Sequence, residues 1–138
     1  MTEKEKIEQT KRFFNMVLKY DPLTIQSLNK ANNEYKEHLD FMYEFIGSNF
    51  RAEKLLQGAI DQNNQIIKDI KDRKEKLYQA IEQLEPLYRL IITDHHIKNK
   101  SWFEIANKVC YSVNHTRTRL WRRALLSLYE LLPSYCLK

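Results

Sequence analysis

A chain of 138 residues has the length of one ordinary domain, or of a small domain with a helical appendage. Two glycines and three prolines among abundant Lys, Glu, Gln, Leu and Ile argue against a turn-rich β architecture, and two distant cysteines, Cys110 and Cys136, form neither a disulfide framework nor a close-spaced metal pair. The net charge of +5 is lopsided: residues 86–138 hold nine Lys and Arg against three Asp and Glu, residues 1–85 fourteen against fifteen, so a polyanionic partner is expected at the C-terminal part.

No run alternates with period two over the length of a strand, which predicts an all-α protein. The opening MTEKEKIEQTKR leads into no apolar signal core, and no stretch approaches the roughly 20 apolar residues that span a bilayer. The expectation is a soluble, cytoplasmic chain in a reducing setting, without a membrane partner.

Residues 3–19 read as a first helix with Ile7, Phe13, Phe14, Val17 and Leu18 on its apolar side. Asp21-Pro22 predicts a break and a new start, with Asp as N-cap and Pro in the first turn. The second helix is expected to run to Phe45 or Ile46, burying Leu28, Tyr35, Leu39, Met42 and Phe45, before Gly47 stops it and Ser48 caps the next. From Ser48 to about Gln83 the apolar positions Leu56, Ile60, Ile67, Ile70, Leu77, Ile81 and Leu84 fall in a 3.5-residue register, with Asn63 and Lys74 at the two remaining seam positions. Such a stripe, on a helix about 50 Å long at 1.5 Å per residue, serves equally an antiparallel fold-back within the chain and a homo-oligomer through residues 48–84.

Leu84-Glu85-Pro86 ends the long helix, because proline disfavours helix at the preceding residue and removes a donor. The expected division is therefore 1–83, a helical oligomerisation or partner-binding region, and 84–138. A fourth helix spans Leu87 to about Ile97, and Lys98-Asn99-Lys100 makes a polar turn. Ser101 with Glu104 forms a capping box for a short helix carrying Trp102, Ile105, Ala106 and Val109 inward. Cys110-Tyr111 interrupts it. Ser112 caps a longer helix reaching to Pro133, and short helix, tight turn and longer helix make a helix-turn-helix pattern.

At 100° per residue, Val113, Thr116, Leu120, Ala124 and Leu131 of that last helix face the core. Asn114, His115, Thr118, Arg119 and Arg122 gather opposite, with Arg117 and Arg123 beside them. A charged face is most often merely solvated, but then both signs are expected, and Ser112–Leu128 holds four Arg and no acid. Arg suits guanine or phosphate, Asn suits adenine, and the first half of a recognition helix is what enters the major groove. Lys98, Lys100 and Lys108 lie where backbone phosphates would pass. The expected partner is double-stranded DNA.

Residues 84–128 resemble the region-four helix-turn-helix of sigma factors, and more particularly short phage and prophage regulators of the ArpU-like and RinA-like families. LEPLYRLIITDHHIKNKSWFEIANKVCYS and RRALLSL carry the resemblance: a Pro-led helix, a Lys-bearing turn, Ser-Trp-x-Glu-Ile-Ala, a turn ending in Tyr-Ser, then Arg-Ala-Leu. It implies promoter binding and control of late phage genes behind a helical N-terminal region. Two features depart from the family pattern: Cys110 stands where Gly or Asn is usual, and the interval from Ser112 to Ala124 is one residue longer.

Other readings carry less. A protein-interaction module would dock the same fold on RNA polymerase or another regulatory protein. A DNA-packaging recognition subunit usually carries its reader at the other end of the chain. Asp94-His95-His96 cannot converge on one metal ion from consecutive helical positions, so phosphate contact or exposure is expected of them. Trp102 and Trp121 are expected to pack rather than stack on bases. No Gly-rich phosphate loop or paired-carboxylate site appears, so no enzyme activity, cofactor or metal is expected.

Overall fold

The computed structural model describes residues 1–137, with Tyr135 described through its backbone alone. Helix α1 (Glu3–Asn15) starts where Thr2 Oγ1 accepts the Glu5 amide at 3.2 Å. The expected break at Asp21-Pro22 does not occur. A wide π-type turn, Met16–Tyr20, carries the chain into α2 (Asp21–Phe41), and Tyr20 keeps helical angles of φ −90° and ψ −41°. Pro22 lies in the first turn of α2, where its missing N–H and fixed φ are tolerated.

A second such turn, Met42–Ile46, ends at Gly47, whose φ of 89° only glycine adopts freely and whose amide donates to Met42 O at 2.8 Å. Helix α3 (Phe50–Glu82) follows. Pro86 opens α4 (Pro86–Ile92), which runs on through a turn at Thr93–Ile97 and stops at left-handed Asn99. Then come α5 (Trp102–Val109), α6 (Val113–His115), a fourth wide turn at Thr116–Leu120, and α7 (Trp121–Leu131). A 3-10 turn, Ser134–Leu137, lies beyond Pro133. The fold is all-α, with no strand among the described residues. No helix among them is long and apolar enough to cross a membrane.

The packing divides the chain elsewhere than at residue 84. Residues 1–19 form one compact unit with residues 73 onward, and residues 20–72 form another. The cause lies in the apolar faces. Ile7, Phe13, Phe14 and Val17 of the first helix meet Leu77 and Ile81 of α3, Ile92 of α4, and Ala124, Leu125 and Leu128 of α7 in one core. Each large side chain buried there contributes about 1.5–3 kcal/mol, which neither α1 nor α7 can gain alone. Thr10 joins this core fully buried because its hydroxyl donates back to Lys6 O at 2.9 Å. A smaller cluster of Ile91, Ile105 and Leu120, flanked by Trp102, Val109 and Trp121, ties α4, α5 and the last helix together.

In the other unit α2 and the first part of α3 lie antiparallel. Asn32 reaches both Asn63 and Asn64 at 3.0 Å, an amide belt across a seam that buries Met42, Ile60, Ile67 and Ile70. The first half of the stripe lies buried on the chain's own α2, its second half (Leu77, Ile81, Leu84) in the first unit's core. Lys74 leaves the seam for the surface, its ammonium 5.8 Å from the Tyr78 ring, since a straight helix drifts from a 3.5-residue register. Phe45, expected inside, is 67% exposed because the wide turn at Met42–Ile46 shifts its phase. Val113 and Leu131 are likewise exposed, and Leu125 and Leu128 are buried instead, because the turn at Thr116–Leu120 rotates α7 relative to α6.

Candidate functional site

The last helix is oriented from both ends. Cys110 turns the chain with left-handed angles of φ 64° and ψ 33°. Ser112, extended, accepts the His115 amide on its hydroxyl at 3.1 Å. Thr116 is fully buried, its hydroxyl donating to Ser112 O at 2.8 Å, and Leu120 and Ala124 anchor the following turns. On the preceding helix Ser101 caps α5, its Oγ accepting the Glu104 amide at 3.2 Å, while its hydroxyl, rather than its backbone N–H as in a full capping box, donates to the Glu104 carboxylate at 3.4 Å.

This leaves Asn114, Arg117, Thr118, Arg119, Arg122 and Arg123 exposed on one continuous helical run. His115 is half-buried, its ring 5.2 Å from that of Tyr111. The Thr118 hydroxyl donates to Asn114 O at 2.6 Å and keeps acceptor capacity outward. Among the described residues no carboxylate stands within ion-pair distance of any of the four arginines. Their charge is therefore offered entirely to solvent or to a ligand.

The three lysines differ from this. Lys98, Lys100 and Lys108 converge on Asp94, whose side chain is 3% exposed, at 3.9, 4.0 and 3.3 Å. Asp94, expected to meet phosphate or lie exposed, is instead buried among these lysines, and its i,i+4 spacing to Lys98 was the readable signal. One buried carboxylate thus fixes three cations from the end of α4, the turn and α5, leaving a local excess of positive charge that faces outward.

The two histidines after Asp94 take other partners, and neither phosphate contact nor plain exposure describes them. His96 stacks on Phe14 at 4.1 Å and accepts the Trp121 indole N–H at 3.0 Å. Burial first, then His95 and Lys11, push its pKa down to about 3, so the ring is a neutral acceptor. His95 stacks on Trp102 at 4.1 Å, and burial and Lys11 lower its pKa as well. Trp102 and Trp121 pack at the edge of the cores, as expected, with ring centroids 5.3 Å apart. Among the described residues no group of three or more His, Cys, Asp or Glu converges as a metal site would require.

Beside Trp121 an open cleft of about 640 Å³ is lined by Lys11, Asn15 and Lys19 from the N-terminal helix, by His95 and Asn99, and by the Tyr78 ring. Sequence reasoning missed it, since its N-terminal wall lies more than 50 residues along the chain from the other lining residues. Compared with family models, curated proteins and solved structures, the chain matches none.

Proposed function

We propose that this chain is a sequence-specific DNA-binding transcriptional regulator that reads the major groove with the helix spanning residues 113–131, using α5 and that helix as a helix-turn-helix. The observation that carries the proposal is the set of four exposed arginines without a carboxylate partner among the described residues. An arginine face held on a capped, core-anchored helix suits bidentate contacts to guanine edges or phosphates, and Asn114 suits adenine. The Asp94-centred lysines suit the phosphate backbone next to the reading helix. The resemblance to sigma region-four-like phage regulators extends the proposal to control of late phage genes.

The test is a titration of the chain with its own upstream DNA and with random duplex, repeated across salt. The reading requires preference for the former and a log–log salt slope of about −0.9 per phosphate neutralised. Arg119→Ala with Arg122→Ala should weaken specific binding about 30-fold or more, at 1–3 kcal/mol per bidentate contact, and leave helicity and melting unchanged. Weak and equal binding to both duplexes would instead favour docking of the basic face on an acidic protein surface, as on RNA polymerase or another regulator.

A further inference from the structure

The cleft beside Trp121 has the size of a small-molecule site, and all its walls belong to one compact unit. Flat surfaces dominate those walls: Trp121, Tyr78, His96 and the edge of Phe14. No acidic side chain lines it, while Lys11 and Lys19 both do. Lys11 stands 4.6 Å over the Trp121 ring and shares its charge with Glu8 at 3.6 Å; Lys19 has no ion pair among the described residues. The amides of Asn15 and Asn99 and the ring nitrogens of His95 likewise make no hydrogen bond among the described residues. The wall groups are therefore committed to one another, as in the His96–Trp121 bond, whereas the rim presents donors still to be used.

We propose that this cleft binds a small planar aromatic anion, its ring lying against Trp121 and Tyr78 and its carboxylate or phosphate held by Lys11 and Lys19. A flat ring gains from the aromatic walls, and an anionic head meets two ammonium groups and two amides with no carboxylate in the lining. A dication would meet only positive charge, and a neutral ring would leave both lysines unused. Trp121 lies in the helix that carries Arg119 and Arg122, so the bound anion touches the same element as the arginine face. The inference goes beyond the DNA-binding reading and holds whether or not that reading does.

The test uses the full chain labelled with nitrogen-15 in tryptophan and follows the Trp121 indole N–H while salicylate, indole-3-acetate or adenosine monophosphate is added. The expected result is a saturable shift of the Trp121 signal for at least one of the three, with Kd of about 1 mM or tighter. Its neutral counterpart (salicylamide, indole-3-acetamide or adenosine) and the Lys11→Gln, Lys19→Gln double variant should each bind at least about tenfold more weakly. The carboxylates and the phosphate separate the two possible anionic heads. Absence of saturation with all three anions overturns the proposal, as does equal binding of acid and neutral counterpart or unaltered binding by a double variant that melts like the wild type. Displacement of the anion by short duplex in simple competition would assign the cleft to a DNA phosphate and also overturn it. None of these outcomes depends on sequence preference for DNA.

Discussion

Lowering the pH should destabilise this protein through one ring, His96. Its Nε2 must stay unprotonated to accept the Trp121 indole N–H at 3.0 Å, and its face is closed by Phe14. Burial, helped by His95 and Lys11, holds its pKa at about 3 against an ordinary value of 6.5. A base whose pKa is depressed by folding takes its proton more readily in the unfolded chain. The stability it contributes is therefore complete above pH 6.5 and lost as the pH falls toward 3. At about pH 5 the unfolded chain carries the proton almost fully and the folded chain does not, a loss of about 2 kcal/mol. Urea midpoints followed by circular dichroism at about pH 7.5 and about pH 5 measure the loss. His96→Gln keeps an acceptor for the indole and removes the titration, so the variant should lose much less, retaining only the smaller contribution of His95, whose pKa is lowered by the same burial. Equal losses in wild type and variant would refute the reasoning.

Three further outcomes are expected. Cys110→Gly should raise stability by about 1 kcal/mol, because the native residue holds φ at 64°, where a Cβ is strained; a melting temperature that falls would show that the thiol is worth more than the strain. Asp94→Ala should cost about 2 kcal/mol in denaturant stability, leaving three ammonium groups converging without an anion, and adding Lys108→Met should recover part of it; no recovery would deny the mutual repulsion. Asn32→Ala should cost about 1–2 kcal/mol, since it strands the Asn63 and Asn64 amides of the interhelical belt, and an unchanged unfolding midpoint would mean that water replaces the bonds at no cost.

Local chemistry was legible in the sequence wherever a single residue decides the backbone. Ser101 with Glu104, Ser112, Gly47 and Pro86 each act at their own position, and the structure has helix ends at all four. What escaped depends on the helical phase. Counting at 100° per residue assumes 3.6 residues in every turn, and the wide turns at Met42–Ile46 and Thr116–Leu120 break that assumption. Phe45, Val113 and Leu131 were thereby assigned inward, and Leu125 and Leu128 were not. The exposed arginines were readable because an acid-free run needs no register. Asp94 was readable only in part: its i,i+4 spacing to Lys98 stands in the sequence, but nothing there brings Lys100 and Lys108 to the same carboxylate.

The N-terminal helix and α7 share a core although more than 100 residues separate them along the chain. During synthesis α1 leaves the ribosome with its apolar face bare, and the side chains that will cover it, Leu125 and Leu128, are translated more than 100 residues later. The antiparallel pair of α2 and α3 forms from local contacts in the meantime, and with Asn32 set against Asn63 and Asn64 it draws the two ends of that segment together. The loop that must then close is far shorter than the sequence between, which lowers the entropy of the final docking. Loosening a seam in residues 20–72 should therefore slow the assembly of a core to which those residues do not belong.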